Sequence, residues 1–230
     1  MKQLNQILQN FYTTDRLNLG MIDDGGPFGF DIHFALEVDY LINAYECDAF
    51  IETGTNAGDT TDYLSKMYPN ISIFSSEIDY VYHAVAKERM KERNNVKLFL
   101  ESSEKTVKRI TEYKMPFYYL DAHWGEYWPL IDEISNIERG IICVSDFFIG
   151  KQAVQNKVPY LFDSYGGVNC DKDLILKTIT PHTPIYVNNT KQLEKYPLPS
   201  LQMKRRTGRC YFCKNIEIDH MKDSEYFVKI

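Results

Sequence analysis

The stretch Glu52-Thr53-Gly54-Thr55-Asn56-Ala57-Gly58-Asp59-Thr60-Thr61 joins a short apolar run at 49–53 to a segment whose apolar residues recur at helical spacing. Glycine at positions 54 and 58 lets the backbone turn sharply and lets a ligand approach main-chain N–H groups that a side chain would cover. This stretch predicts a strand, a nucleotide-type loop and a helix in direct succession. A purely structural turn is the other interpretation of these glycines.

Apolar runs and helix-like segments alternate from residue 49 onward. The predicted strands cover residues 49–53, 72–78, 96–102, 117–122 and 141–147, and the predicted helices between them cover 60–68, 81–93, 104–113 and 130–139. This alternation is typical of an α/β fold with a mostly parallel sheet and crossover helices. Two later runs, PIYVNN from residue 184 and GRCYFCKNIEI from residue 208, predict an antiparallel edge.

Two amphipathic helices are predicted ahead of the first strand, at residues 3–12 and 33–46. The residues 23–29 that join them are rich in Gly and Asp and contain Pro27. This joint is either a simple turn or a lid over a site in the sheet.

Composition excludes several classes of protein. The formal net charge of −6 and the sequence pI near 5.4 disfavour a protein that binds the nucleic-acid backbone. No apolar run approaches the length of a membrane-spanning helix, and the N-terminus lacks the pattern of a secretory signal. Five cysteines are an odd, scattered set, so reduced thiols are expected. The sequence predicts a cytoplasmic protein with no membrane partner.

The first two strand ends carry acids with distinct chemistry. The loop reads E-x-G-x-x-x-G and lacks the third glycine position of the dinucleotide fingerprint. Glu52 would repel a pyrophosphate but could accept from a cationic amino group. Glu77 stands about 20 residues beyond Gly54, where an acid can bind both ribose hydroxyls of an adenosine. Since NAD contains the same ribose, Glu77 indicates an adenosine-containing cofactor but does not distinguish NAD from another one.

The later strand ends add further candidates. Glu101 and Ser102 could bind an adenine ring or could simply cap the next helix. Asp121 and His123 stand at the end of the fourth strand, and His123 is suited either to taking a proton or to a structural hydrogen bond. Asp146 stands at the end of the fifth strand, so that two carboxylates either hold magnesium or bond the loop backbone.

Taken in order, ETGTNAGDTT, SEID, VKLFLESS, YYLDAH and VSDFF resemble the strand-end motifs of class I S-adenosylmethionine-dependent methyltransferases, over about 100 residues from Phe50 to Phe148. The resemblance implies a Rossmann-like sheet of seven strands, with an antiparallel hairpin of the last two at the edge and helices on both faces. It implies a single domain, with a helical cap at 1–46 and a core at 47–230.

The same resemblance implies the cofactor contacts. Glu52 and Gly54 would bind the methionine part, Glu77 the ribose, and Glu101 with Ser102 the adenine. The complete set of predicted S-adenosylmethionine contacts is Glu52, Gly54, Thr55, Asn56, Gly58, Thr60, Glu77, Ile78, Glu101, Ser102 and Asp121.

The sequence also resembles a branch of small-molecule O-methyltransferases that act on sugars and secondary metabolites and bind magnesium through acids after the fourth and fifth strands. Asp121 and Asp146 occupy those positions, whereas Phe147 stands where a further Asp or Asn is common. His123 and Asp121 are the predicted catalytic residues, for methyl transfer to a hydroxyl of a small-molecule acceptor. An NAD-dependent oxidoreductase and a non-catalytic cofactor-binding protein of the same fold are the alternatives, and a homo-oligomer is compatible with the sequence.

Overall fold

The main sheet of the protein has eight strands, observed in a computed structural model that describes residues 2–16, 25–122, 127–150, 154–155, 158–192 and 207–230. The strands are β1 Ala49–Thr53, β2 Ser72–Glu77, β3 Val96–Leu100, β4 Pro116–Leu120, β5 Gly140–Val144, β6 Val154–Gln155, β7 Val158–Pro159, β8 Ser164–Tyr165, β9 Val168–Asn169, β10 Tyr186–Asn188, β11 Cys210–Lys214 and β12 Phe227–Lys229. Two short hairpins, β6 with β7 and β8 with β9, lie outside the main sheet.

Helices connect and cover the strands. They are α1 Lys2–Thr13, a 3-10 turn Pro27–Phe30, α2 Ile32–Ala44, α3 Asp59–Met67, α4 Tyr80–Arg89, α5 Ser103–Arg109, α6 Leu130–Asn136 and α7 Lys172–Ile175. No helix among the described residues has the length and apolar character needed to cross a membrane.

The strand order β12-β10-β11-β5-β4-β1-β2-β3 confirms a mostly parallel sheet with an antiparallel edge. Strands β1 to β5 run parallel to one another, while β11 pairs antiparallel with β5 and β10 pairs antiparallel with β11 and β12. The sheet has eight strands and not the seven predicted, because Phe227–Lys229 pairs outside β10. Three residues are too short to produce a recognisable period in the sequence.

Apolar side chains cover both faces of the sheet. Alternate residues of β4 point to opposite sides, so Phe117 and Tyr119 pack under α1 to α3, while Tyr118 and Leu120 pack against the layer of α5 to α7. All residues of β1, β4 and β5 are buried, which explains why these strands appear in the sequence as continuous apolar runs.

The parallel strands other than β1 end earlier than the sequence predicts. Because β3 ends at Leu100, β4 at Leu120 and β5 at Val144, the acids that follow lie in loops. The polar residues expected at strand ends therefore lie just outside the sheet, at its carboxyl edge.

Candidate functional site

A cavity of about 750 Å³ opens where the carboxyl ends of β1 to β5 meet. Its volume falls in the range of small-molecule sites, and ligands of open α/β sheets bind at this edge. Seven acids line the cavity: Glu52, Asp59, Glu77, Asp79, Glu101, Asp121 and Asp146. Arg209 is the one basic residue in the described part of the lining, so the potential inside favours a cation.

The structure brings together most of the cofactor residues predicted from the sequence. Ten of the eleven line the cavity: Glu52, Gly54, Thr55, Asn56, Thr60, Glu77, Ile78, Glu101, Ser102 and Asp121. Gly58 does not line it. Gly58 instead begins α3 with a φ of 78°, and a Cβ there would lie 3.3 Å from the Cβ of Ala86 on α4. His123 lies outside the described residues.

The glycine loop does not present free N–H groups in the way that its sequence suggests. Every main-chain N–H from residue 54 to residue 58 donates to an oxygen of the protein itself. The first two reach the carbonyl of Ser76, at 3.0 Å each, and the other three reach the side chains of Glu77 and Asn56 and the carbonyl of Thr55. A loop whose donors are used internally is a poor seat for a pyrophosphate, which needs open N–H groups.

Glu52 is buried beneath the loop and holds its neighbours through one oxygen. Its Oε2 accepts from the hydroxyl of Ser75, at 2.7 Å, and from that of Thr61. Because both donors bond Oε2, the other oxygen is available to a ligand in the cavity. Burial raises the pKa of Glu52 to about 8 against the opposing effect of these hydrogen bonds, and the nearby Asp121 and Glu77 charges add to the rise.

Glu77 is held rigidly at the end of β2. Its Oε2 accepts from the N–H of Asn56 at 2.7 Å, and its Oε1 accepts from the N–H of Asp79 at 2.9 Å. Each carboxylate oxygen has a second lone pair, so the group can also accept from two hydroxyls of a ligand. The position and the orientation of Glu77 suit a ribose.

The side chain of Glu101 is already engaged on the next helix. Its Oε1 accepts from the hydroxyl of Thr106 at 2.7 Å, and its Oε2 accepts from Arg109 at 2.7 Å. Ser102 donates to Glu104, the acid in the first turn of α5. Ser102 occupies the N-cap position of α5 without a side-chain capping hydrogen bond, and both residues predicted for adenine border the cavity.

Asp121 and Asp146 lie on the same rim of the cavity. The hydroxyl of Tyr119 donates to Oδ2 of Asp121 at 2.7 Å, and the N–H of Asp121 donates to Thr53 at 3.0 Å. Asp146 has a positive φ of 51°, an unusual backbone conformation for this residue. Within the described ranges, no group of three or more His, Cys, Asp or Glu side chains is placed to hold a metal ion. Asp121 and Asp146 are thus two carboxylates on one rim with no third metal ligand among the described residues.

Several residues of the cavity wall were not predicted from the sequence, among them Tyr119 and Arg209. Tyr119 is hidden within an apolar strand, and only its alternation with Asp121 indicates that both point to the same side. Arg209 is buried and bonds Glu37 through Nε at 2.9 Å and Asp31 through an NH group at 3.0 Å. It also lies 4.5 Å from the ring centre of Phe34. These partners are far from Arg209 in the sequence, so no local motif marks them.

The N-terminal joint forms another wall. The N–H of Gly26 donates to Asp59 at 2.7 Å, and the N–H of Phe28 donates to the hydroxyl of Thr60 at 2.9 Å. Phe28 has a positive φ of 53°, and its ring lines the cavity. The described part of the joint is thus fastened to the first turn of α3. Residues 23 and 24 of the predicted joint lie outside the described residues.

Comparison with known proteins gives matches among solved structures. No protein-family model matches the chain, and no curated protein matches it. A proposed caffeoyl-CoA O-methyltransferase from Staphylococcus aureus superposes with a TM-score of 0.55 at 12% identity, over 92% of this chain and all of that one. A proposed O-methyltransferase from Klebsiella pneumoniae gives 0.50 at 15% identity, over 93% and 90% of the two chains. The chain has a class I methyltransferase fold.

Identities this low establish the class I methyltransferase fold and nothing finer. The Rossmann-like architecture predicted from the strand-end motifs is confirmed. The match to YcgJ from Bacillus subtilis is partial: it covers 51% of this chain and 53% of that one, at 14% identity and a TM-score of 0.37. The acidic cavity of this chain lies at the carboxyl edge of that fold's sheet, and ten of the predicted cofactor residues line it.

Proposed function

We propose that the protein is an S-adenosylmethionine-dependent methyltransferase that transfers a methyl group to a hydroxyl of a small molecule, such as a sugar or a secondary metabolite. The observation that supports this best is the acidic cavity at the carboxyl edge of a methyltransferase fold. S-adenosylmethionine carries a sulfonium and an ammonium group, and a cavity lined by carboxylates favours both. The net charge of −6 supports a small acceptor over a nucleic acid.

The residues present fit this cofactor. Glu77 offers two fixed oxygens to the ribose hydroxyls, and Glu52 offers its outer oxygen to the ammonium group. The loop between them has its N–H donors satisfied within the protein, so a neutral or cationic moiety fits there better than a phosphate. This contrast favours S-adenosylmethionine over NAD.

In the reaction we propose, the acceptor hydroxyl attacks the methyl group in line with the bond to sulfur. The cofactor supplies a methyl group that is already strongly electrophilic, so the protein acts mainly by positioning the two reactants. Tyr119 holds Asp121 on the rim, where its carboxylate can orient the hydroxyl and take its proton. We retain His123 as the other proposed base. The rings of Phe28 and Phe34 lie 5.7 and 5.1 Å from that of Tyr119 and form an apolar part of the cavity wall beside it.

Magnesium dependence is left to experiment and enters none of these steps. The two carboxylates that the sequence assigns to the metal, Asp121 and Asp146, border the cavity together. Running the acceptor screen below with magnesium and after chelation reveals whether they recruit an ion when an acceptor is present.

Calorimetric titration of the purified protein with S-adenosylmethionine and, separately, with NAD tests the proposal. We expect S-adenosylmethionine to bind both with magnesium and after chelation, and NAD not to bind. Glu77→Ala should weaken binding by tenfold or more, since a charged partner of two hydroxyls is lost. Glu88→Ala is the matched control, because Glu88 is exposed on α4 outside the cavity. Binding of NAD, or of neither ligand, would overturn the assignment.

An acceptor screen with methyl-labelled cofactor follows. Hydroxylated small molecules should take up label in the presence of the wild-type protein, and Asp121→Asn should reduce the rate while leaving cofactor affinity nearly unchanged. Transfer of label only to amines would contradict the assignment of oxygen as the acceptor atom.

A further inference from the structure

The turn Pro27–Phe30 has an unusual backbone conformation beside the cavity. Phe28, Gly29 and Phe30 have φ values of 53°, 60° and 59°, so three successive residues are left-handed. Glycine adopts this conformation at little cost, whereas a residue with a bulky side chain rarely does. Backbone strain of this kind is concentrated at active sites and ligand-binding sites, where the surrounding contacts maintain it.

Contacts of the backbone and of the ring hold Phe28 in this conformation. Its N–H donates to the hydroxyl of Thr60 at 2.9 Å, and its carbonyl accepts from the N–H of Asp31 at 3.2 Å. Its ring centre lies 4.6 Å from that of Phe34 and 5.7 Å from that of Tyr119. The described part of the N-terminal joint is therefore a braced wall of the cavity.

The ring of Phe28 lies next to the proposed catalytic carboxylate. Tyr119, whose ring it contacts, donates through its hydroxyl to Oδ2 of Asp121 at 2.7 Å. An acceptor whose hydroxyl reaches Asp121 therefore has the rings of Phe28 and Phe34 beside it. Aromatic side chains pack against flat apolar surface, which an aromatic ring or one face of a sugar ring can provide.

The charged groups of the same wall are already bonded within the protein. Asp59 accepts from the N–H of Gly26 at 2.7 Å and forms an ion pair with Arg89. Arg209 donates to the two carboxylate oxygens of Glu37 at 2.9 and 3.0 Å. A phosphate or carboxylate placed against this wall would lose hydration, while both of these cations are already paired with acids of the protein.

We infer that Phe28 determines which acceptors the protein methylates, by packing against an uncharged ring of the acceptor whose hydroxyl reaches Asp121. The inference rests on the proposed function, since it names the acceptor class of that reaction. The acceptor is either an aromatic hydroxyl compound or a sugar that presents the apolar face of its ring. Phe28 is a specificity-determining residue in this arrangement and takes no part in the chemical step.

Methyl transfer by the wild-type protein to matched compounds tests the acceptor class. The phenolic pair is p-hydroxybenzyl alcohol and p-hydroxybenzoate, and the sugar pair is methyl glucoside and methyl glucuronide. Sorbitol carries hydroxyls without a ring and completes the set. In the pair that takes up label, the uncharged member should have a kcat/KM at least about tenfold above that of the charged member and of sorbitol. The same result shows whether the ring is aromatic or a sugar.

Substitution of Phe28 tests the residue itself. With the uncharged compound, Phe28→Ala should raise the acceptor KM by about tenfold with a smaller change in kcat, because the ring contributes to binding and not to the chemical step. Phe28→Leu keeps apolar volume and should raise the KM less. The affinity of both variants for S-adenosylhomocysteine, the demethylated product of the cofactor, should stay within about twofold of the wild type, which a general loss of structure would not allow.

Phe30→Ala is the matched control. Phe30 has nearly the same φ as Phe28 but does not belong to the described cavity lining, and its ring centre lies 5.0 Å from that of Phe11. Its variant should leave the acceptor KM within about twofold of the wild type. Phe28→Gly is a further variant, in which glycine relieves the left-handed strain while the ring is lost. It should raise the KM as far as Phe28→Ala does.

The outcomes distinguish the inference from the proposed function. If the wild-type protein fails to bind S-adenosylmethionine, the proposed function fails and the inference with it. If it binds the cofactor but labels neither uncharged ring compound, or labels the charged members equally well, the inference is overturned while cofactor binding stands. An unchanged acceptor KM in Phe28→Ala, or an equal rise in Phe30→Ala, would also overturn it.

Discussion

Gly54 approaches Asp121 so closely that a Cβ on residue 54 would lie 2.7 Å from the backbone oxygen of Asp121. Gly54 also has a φ of 82°, a conformation that side chains disfavour. The first loop and the residue after β4 can therefore approach this closely only because position 54 carries no side chain. Because these two segments carry the proposed methionine and catalytic contacts, their spacing sets the geometry of methyl transfer.

Gly54→Ala should lower the free energy of unfolding by about 3 kcal/mol or more, since backbone strain and a collision with backbone act together. Gly167→Ala is a control with the same φ of 82° and no atom within 4 Å of the new Cβ. It should cost only about 1–2 kcal/mol. Urea denaturation measures both, and equal losses in the two variants would refute a role for the contact with Asp121.

Arg209→Met should destabilise the protein by about 3–5 kcal/mol, because Glu37 and Asp31 would remain buried without their cation. Arg109→Met is the control, since the Arg109 side chain is 53% exposed and its ion pair with Glu101 contributes less than about 1 kcal/mol. Denaturant titrations report both values.

The loss in free energy of unfolding that Arg209→Met causes should become smaller as the pH falls. Burial raises the pKa of Glu37 even with Arg209 present, and removal of the cation raises it further. The folded variant then binds protons that the unfolded chain releases, so acidification favours folding. A deficit that stays constant between neutral and mildly acidic pH would contradict this explanation.

The Glu52 carboxyl should make the ligand-free protein less stable as the pH rises. Because its pKa is raised from 4.5 to about 8, the folded protein keeps a proton that the unfolded chain loses within this range. The stabilisation is complete below about 4.5 and disappears as the pH passes about 8. Glu52→Gln should flatten this part of the stability profile, and the exposed Glu88→Gln should not.

The raised pKa of Glu52 also predicts that a proton is released when the cofactor binds. A cationic ammonium group favours the ionised form of Glu52, so binding at pH 7 should expel a proton into the buffer. Calorimetry in buffers of different ionisation enthalpy measures the number of protons. A binding heat that is identical in all buffers would show that Glu52 does not meet a cation.

Thr60→Val should loosen the N-terminal joint, because the N–H of Phe28 loses the hydroxyl that accepts it at 2.9 Å. We expect a loss of about 1 kcal/mol and faster amide hydrogen exchange at residues 26–30. Thr60→Ser retains the oxygen and should exchange like the wild type. Unchanged exchange in the valine variant would indicate that other contacts hold the joint.

The sequence predicts this fold well where burial makes the pattern simple. Strand β1 is predicted at 49–53 and found there, because a parallel strand covered on both faces appears as an unbroken apolar run. The acids after the strands were located for the same reason. The hydrogen-bond partners of these acids were not predicted. Glu101, for example, accepts from Arg109 on the following helix, and that contact depends on side-chain geometry.

The features that escaped prediction depend on contacts between distant parts of the chain. Arg209 and Glu37 are 172 residues apart, and neither belongs to a motif. The hydroxyls of Ser76 and Ser103, buried without a hydrogen-bond partner among the described residues, are invisible in sequence, since their neighbours Ser75 and Ser102 are chemically identical. Only the packed structure shows which hydroxyl of each pair is bonded within the protein.

The short strand β12 has a consequence for solubility. It pairs with β10, and its Phe227 ring packs 4.8 Å from that of Tyr211. Loss of Phe227–Lys229 would uncover the hydrogen-bonding edge of β10 together with an apolar patch. Exposed sheet edges recruit strands from other molecules. A chain shortened from Phe227 onward should therefore form aggregates during expression, while the candidate cavity, which none of these residues lines, keeps all of its described lining.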